Sequence, residues 1–366
     1  MNQRFSTRGE PLPRTGVPLR TVLAHTATAV SMCLITSPAA AAFFCVDTAT
    51  ALNNAVNASE TNNEADEIRV VGGTYVLSSA LFFQSQQGNA ITIRGGYLPT
   101  CGVFTSASTV LDGQDNVRPL TVRNTTGAIT VEGLTFVNGL STNNNGGGLW
   151  VNNTSGDIRI ERNIFFANRA DDDAGAMSVV STSASVRVRN NLAFGNSGAN
   201  NGAFSIVLNG GGEAYITGNT IVANSPEGSF GAGGLYIGGA ANFTLSNNII
   251  WNNVPDDAGQ FVADFRSGGA ITTHSRFSND IGVVAPDTVA DLVVAEQSVD
   301  PQFDSCGGFL CYTFELKRNS PLVDMGNDAP LGGMSTRDLA GKIRTIGPHV
   351  DIGAYENDLI FADGFD

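Results

Sequence analysis

The sequence predicts an all-β solenoid, a parallel β-helix with three strands per turn. Three observations carry that prediction. First, one eleven-residue phrase occurs five times, as ITVEGLTFVNG (129–139), IRIERNIFFAN (158–168), VRVRNNLAFGN (186–196), AYITGNTIVAN (214–224) and FTLSNNIIWNN (243–253). The final residues, Gly139, Asn168, Asn196, Asn224 and Asn253, lie 29, 28, 28 and 29 positions apart, and a fixed period of this size marks stacked repeats. Second, a companion phrase sits between the copies: GGGLWV (146–151), AGAMSV (174–179), NGAFSI (201–206) and AGGLYI (232–237). Third, charged residues are 15% of the chain and glycines number 43, which suits short strands joined by tight turns with Gly and Asn at positive φ. A turn of ~28 residues holds about three strands of 4–6 residues with their connections; propeller blades need ~40 or more.

Taken in order, residues 1–42 read as an export signal. Arg4, Arg8, Arg14 and Arg20 form a basic region, Val22 to Ile35 is apolar, and Ala40 and Ala42 fit an A-x-A cleavage site. The apolar run is short for a membrane span, although an uncleaved anchor is the alternative. Removing this segment would take away four arginines and one glutamate from a chain already at −14. So acidic a chain disfavours nucleic acid and anionic membrane surfaces as partners. No membrane span is expected once the signal is gone.

A single β-helix domain is expected over 43–356. Residues 43–66 form its N-terminal cap, with a short helix over 43–57 capped by Asp47. The rungs occupy 67–270, opening with EIRVVGGTYVL (67–77), ALFFQS (80–85), AITIRGGY (90–97), TVLDG (109–113) and LTVRN (120–124). Within the repeats Ile158, Ile160, Val186 and Val188 alternate with Arg159, Glu161, Arg187 and Arg189, so the branched residues face inward and the charges outward. Asn163, Asn191, Asn219 and Asn248 share one repeat position, and Asn168, Asn196, Asn224 and Asn253 another. Both rows read as structural asparagine ladders, since Asn tolerates the left-handed region and satisfies turn backbone. Residues 271–356 hold the last rungs and a C-terminal cap, and 357–366 an acidic tail.

Cys45, Cys101, Cys306 and Cys311 remain after the signal is removed, an even number that suggests two disulfides in an exported chain. Of three possible pairings, Cys45–Cys101 with Cys306–Cys311 places one at each end. There is no CxxC, and His274 and His349 are the histidines beyond the signal, which argues against a zinc or thiol enzyme.

The chain resembles the right-handed parallel β-helix proteins known as choice-of-anchor Q domain proteins, distant relatives of the chlamydial polymorphic outer membrane proteins. The likeness rests on TIRGGY (92–97), TVLDG (109–113), the GGGL and AGGL phrases, SPLVDMG (320–326) and, most specifically, VDIGAYE (350–356). The ending IFADGFD (360–366) resembles a terminal sorting tag on exported proteins of some Gram-negative bacteria. The resemblance implies a pectin-lyase-like fold and an extracellular or outer-surface location. It implies no particular reaction.

Candidate chemistry falls in four places. Arg159, Glu161, Arg187 and Arg189 would stack within two rungs and could serve a polysaccharide lyase or glycoside hydrolase on an acidic substrate; a surface salt-bridge ladder is the alternative. Phe166, Phe194 and Trp251 fall outward by strict alternation and, with Tyr215, could bind sugar rings; a bulge turning the row inward is the alternative. Asp171, Asp172 and Asp173, echoed by Asp256 and Asp257, could hold Ca²⁺ or form a solvated acidic loop. Asp324, Asp338, Arg344, Asp351 and Glu356 are expected to pair and close the last rung. No cofactor is required, and no G-x-S-x-G, P-loop or HExxH phrase occurs, nor the familiar signatures of pectate lyases, polygalacturonases or pectin methylesterases. The expected function is an exported, non-catalytic surface protein whose faces serve adhesion or glycan binding, with a lyase or hydrolase, or a structural envelope component, as alternatives.

Overall fold

The computed structural model describes residues 42–105, 108–142, 145–228, 230–254, 262–288, 290–304 and 314–357. The export segment up to residue 41, Cys306 and Cys311, Asp256 and Asp257, and the tail from residue 358 lie outside them.

Among the described residues the strands form a parallel β-helix of about seven turns with three main sheets. The first sheet has ten strands, beginning Ala42–Val46, Asp66–Val71 and Ile91–Tyr97 and continuing through Ile129–Glu132, Ile158–Glu161, Ser185–Arg189, Glu213–Thr217 and Asn242–Ser246 to Thr273–Phe277 and Leu292–Val294. The second sheet has eight strands, from Gly73–Val76 to Asp280–Ile281, and the third has seven, from Leu81–Gln84 to Val262–Gly268. A narrow fourth sheet pairs Leu140–Ser141, Arg169–Ala170, Ser197–Gly198 and Ser225–Pro226.

Register turns the repeat into columns. Ile68, Ile93, Val131, Ile160, Val188, Ile216 and Leu245 are aligned partners along the first sheet, and all are buried. Phe136, Phe165, Ala193, Ile221, Ile250 and Ile281 do the same on the second. The rings of Phe136 and Phe165 stack at 5.0 Å. Each buried Ile, Val, Leu or Phe contributes about 1.5–3 kcal/mol, so the columns form one continuous core.

Both asparagine rows are ladders. Asn163, Asn191 and Asn219 each donate from Nδ2 to Oδ1 of the next, at 3.1, 2.9 and 2.9 Å, and Asn248 passes the chain to Asn279 at 2.9 Å. The second ladder runs through Asn168, Asn196, Asn224 and Asn253 and ends on the carboxylate of Asp264, 2.9 Å from Asn253 Nδ2. The expected left-handed conformation belongs to the residues just before each ladder position. Arg162, Asn190 and Asn247 have φ of 54°, 50° and 57°, and Ala167, Ala223 and Asn252 have 53°, 52° and 55°. A sharp corner needs one positive-φ residue, and the ladder side chain behind it then collects the freed amide.

The N-terminal cap differs from expectation. Ala42–Val46 is a strand paired with Asp66–Val71, and the helix spans Ala49–Ser59. Thr48 rather than Asp47 is the N-cap; it is extended and its hydroxyl accepts from Ala51 N at 3.1 Å. Phe43 to Val46 are β-formers that meet a partner strand, and pairing overrides their place beside a helix. Cys45 and Cys101 form the expected disulfide.

The other end of the core is closed from within. Arg276 and His274 occupy the positions that Leu245 and Phe243 hold one turn earlier, and both are buried. Arg276 pairs with Glu296 at 3.2 Å. The hydrophobic repeat blurs there because polar side chains take two inward positions of the first sheet.

The C-terminal cap lies along the flank of the solenoid. Residues 314–357 run back over the outer face of the second sheet and along the turn row that joins it to the first. Asn247 and Asn327 exchange side-chain and backbone hydrogen bonds at 2.7 and 2.9 Å. Thr220 Oγ1 accepts from Ala354 N at 2.9 Å, and Asn190 Nδ2 donates to Arg337 O at 2.7 Å. Leu316, Leu322 and Ile352 make a second hydrophobic core with Val222 and Ile249 of the sheet. The left-handed asparagines Asn190 and Asn247 point their side chains out of the solenoid and hold this flank layer.

Candidate functional site

The outward charges of the first sheet form a ladder of ion pairs. Arg69 meets Glu67 at 2.8 Å, Arg94 bridges Glu67 at 3.0 Å and Glu132 at 2.6 Å, and Arg162 closes on the other oxygen of Glu132. Higher up, Arg189 meets Glu161 at 3.3 Å and Arg187 meets Asp157 at 3.7 Å. Arg159 is exposed. The four residues are thus brought together as neighbours, and two of them anchor the flank layer. Arg189 Nη2 donates to Gly332 O, and Ser335 Oγ donates to Glu161 at 3.3 Å. Burial lowers the Arg189 guanidinium from its ordinary pKa, with Glu161 opposing and Arg187 and Arg159 reinforcing. A substrate reaching this pair would have to displace residues 332–335.

The aromatic row points away from the main core, as alternation requires, and no bulge turns it inward. Phe166 stacks on Phe194 at 4.5 Å, Phe194 meets Phe314 at 5.1 Å, and Phe314 meets Phe303 at 5.3 Å. Phe194 and Trp251 are half-buried against the second core. Tyr215, on the first sheet, donates from its phenol to Glu213 at 2.6 Å and lies beneath Gly332, whose backbone leaves no room for a side chain over the ring. The flank layer occupies the space that a sugar would need on Phe194, Trp251 and Tyr215. Sequence alternation shows which side a residue faces, but not what a segment 60–160 residues later lays over it.

Among the acidic candidates, Asp171 pairs with Arg169 at 3.1 Å, Asp172 is exposed, and Asp173 turns inward to accept from Asn201 Nδ2. Among the described residues no group of three or more His, Cys, Asp or Glu gathers in metal-binding geometry.

The C-terminal set forms a closed network. Arg344 is fully buried, with Nη2 on Asp351 O at 2.9 Å and Nε 3.9 Å from Glu356. Asp338 accepts from Lys342 N at 2.7 Å and Glu356 N at 3.0 Å, and Asp351 accepts from Asp324 N and Asn357 N, both at 2.7 Å. Burial pushes Glu356 up to about 8, against the pull of Arg344. These residues fold the flank layer instead of closing the last rung.

A cleft of about 510 Å³ opens where the flank layer stops, across the turn row from the strand-connecting loop that holds Cys101. Its floor is Gly133, Leu134, Thr135 and Ile164. One wall is Arg337, Leu339 and Gly341, and the other Phe104, Thr105, Ser108 and Thr109. Arg162 lies in the floor, its guanidinium on Glu132 and 4.9 Å from the Phe104 ring. The Cys45–Cys101 disulfide pins the second wall across a sequence separation of 56, a cross-link of a size that stabilises by about 4 kcal/mol in the chain-entropy account. The lining offers hydroxyls, a ring edge and two guanidinia. Among the described residues its side chains are hydroxyl, guanidinium and apolar, with the Glu132 carboxylate just behind Arg162. The sequence missed this cleft because its walls are about 230 residues apart and share no repeat position.

No protein-family model, no curated protein and no solved structure matches this chain. The functional reading therefore rests on the site. Among the described residues no helix is long and apolar enough to cross a membrane.

Proposed function

We propose that this protein is an exported, non-catalytic β-helix of the choice-of-anchor Q type that binds carbohydrate in the cleft beside its flank layer. The single observation that carries the reading is the cleft's chemistry. Its volume lies in the range of ordinary ligand sites, and its polar groups suit sugar hydroxyls and carboxylates. Export is supported by the signal-like first 42 residues and by the Cys45–Cys101 disulfide, and a Gram-negative surface location rests on the resemblance of the ending IFADGFD (360–366) to a sorting tag. Membership of the family rests on the phrases TIRGGY (92–97), TVLDG (109–113), SPLVDMG (320–326) and VDIGAYE (350–356) alone.

The test is a panel of polyuronates and neutral glycans presented to the protein lacking residues 1–42. Binding is read by calorimetry, and turnover by unsaturated products and reducing ends. Binding without turnover, weakened at least tenfold in Arg337→Ala, is expected. Turnover would establish an enzyme, and failure to bind any glycan would leave a structural envelope role.

A further inference from the structure

A second pocket, of about 330 Å³, lies on a different face, against the third sheet. It is lined by Asp173, Asn200, Asn201, Phe230, Tyr236 and Arg266, with Gly231. Tyr236 and Arg266 are register neighbours at the outward position that carries Trp150, Ser178 and Ser205 in earlier turns. The next outward position is Asn152, Val180 and Val207, but becomes Gly238 and Gly268 beside Tyr236. Those two glycines leave the space in which the tyrosine ring lies down along the sheet; a Cβ on either would strike the ring or its hydroxyl. Glycine in mid-strand weakens packing and marks close approach, and here it lets an aromatic ring lie flat along the sheet. Phe230, 56% exposed, stands across the pocket with its ring 5.5 Å from the Arg266 guanidinium.

The polar groups are mixed in kind. Asp173 is an acceptor held by Asn201 Nδ2, and its carboxyl is raised by burial, with Ser205 and Asn201 opposing. Arg266 is a fork of donors, 3.6 Å from the exposed Asp287. Asn200 and Asn201 supply amides. Arg266 is balanced by Asp173 in the lining and by Asp287 beside it, so the pocket has no positive excess to favour an anion. Two aromatic surfaces flanking paired donors and acceptors match a neutral pyranose, with apolar C–H faces and vicinal hydroxyls that both donate and accept.

We infer that the pocket formed by Asp173, Asn201, Phe230, Tyr236 and Arg266 is a binding site for a neutral pyranose unit, separate from the flank cleft and independent of it. Saturation-transfer NMR tests this with methyl glycosides of the gluco, galacto and manno configurations and linear neutral oligosaccharides built from them. Saturation transfer to at least one pyranose is expected. Phe230→Ala, Tyr236→Ala and Asp173→Asn should each weaken its binding at least tenfold, while Arg337→Ala leaves it unchanged. The unfolding midpoint of Phe230→Ala, measured alongside, separates lost binding from lost folding. No transfer from any of the sugars, or affinity retained in Phe230→Ala and Asp173→Asn, overturns the inference. Loss in Arg337→Ala instead would place the sugar in the flank cleft and overturn it as well.

Discussion

Asn219→Asp exchanges one side-chain nitrogen for oxygen at the middle of a ladder, with almost no change in volume. Asn219 is fully buried. Its Nδ2 donates to Val188 O and to Asn248 Oδ1, both at 2.9 Å, and its Oδ1 accepts from Asn191 N at 3.0 Å and Asn191 Nδ2 at 2.9 Å. An aspartate keeps the two accepted bonds and turns both donated ones into contacts between oxygens. Two buried acceptors lose a donor at roughly 1–3 kcal/mol each, and the new charge is buried as well, so about 3–5 kcal/mol is expected to be lost. The same protein contains the opposite case. Asp264 ends the other ladder, accepting from Asn253 N at 2.7 Å, Asn253 Nδ2 at 2.9 Å and Val283 N at 2.8 Å. It needs no donor, and Asp264→Asn would set an amide nitrogen against Val283 N. Urea unfolding followed by far-UV circular dichroism at pH 7 should therefore show both exchanges destabilising, although they are chemically reciprocal. At pH 5 Asn219→Asp should recover in part, because a raised carboxyl pKa places its cost at higher pH and the protonated acid can donate one bond. Stability of Asn219→Asp within about 0.5 kcal/mol of wild type, the range of ordinary surface changes, would refute the ladder as a source of stability.

Leu322→Ala removes a fully buried side chain from the flank core and should cost about 2–5 kcal/mol. Because Phe194 and Trp251 lie beneath that layer, dye binding to exposed apolar surface should rise before the solenoid itself unfolds; coincident transitions would count against a separable layer. Glu356 gives the same layer a pH dependence. Its carboxyl is raised by burial to about 8 from an ordinary value of 4.5. The folded state therefore holds the proton more tightly than the unfolded one. The associated stability is full below about 4.5 and is lost as pH rises through about 8. Hydrogen exchange over 338–357, corrected for intrinsic rate, should speed up between pH 6 and pH 9 in wild type and flatten in Glu356→Gln. Slower exchange at pH 9 would contradict the sign.

The sequence reached furthest where each turn repeats the same local decision. The inward Ile and Val columns and both asparagine rows were legible because stacking makes residues 28 or 29 apart into neighbours, and the Cys45–Cys101 bridge because it pairs the two cysteines of the N-terminal end. It was less informative at the first cap, where Phe43 to Val46 answered to a partner strand. The ladder ends on Asp264 and Asn279 were also hidden, because the surrounding phrase changes there even though the hydrogen bonds continue.

Tertiary structure alone decided what became of the faces. Period-two alternation correctly sent Phe166, Phe194 and Trp251 outward, as it did Arg189 and Glu161. Whether an outward residue meets water is a different question, and residues 314–357 answered it by folding back along the flank. The two pockets share this origin. One lies where that layer ends against the disulfide-pinned loop, and the other where Gly238 and Gly268 break a column so that Tyr236 can lie flat. A repeat specifies its own stacking because the partners of every residue are copies of its own phrase. A site arises where dissimilar segments meet, and those meetings are set by the packing of the whole chain.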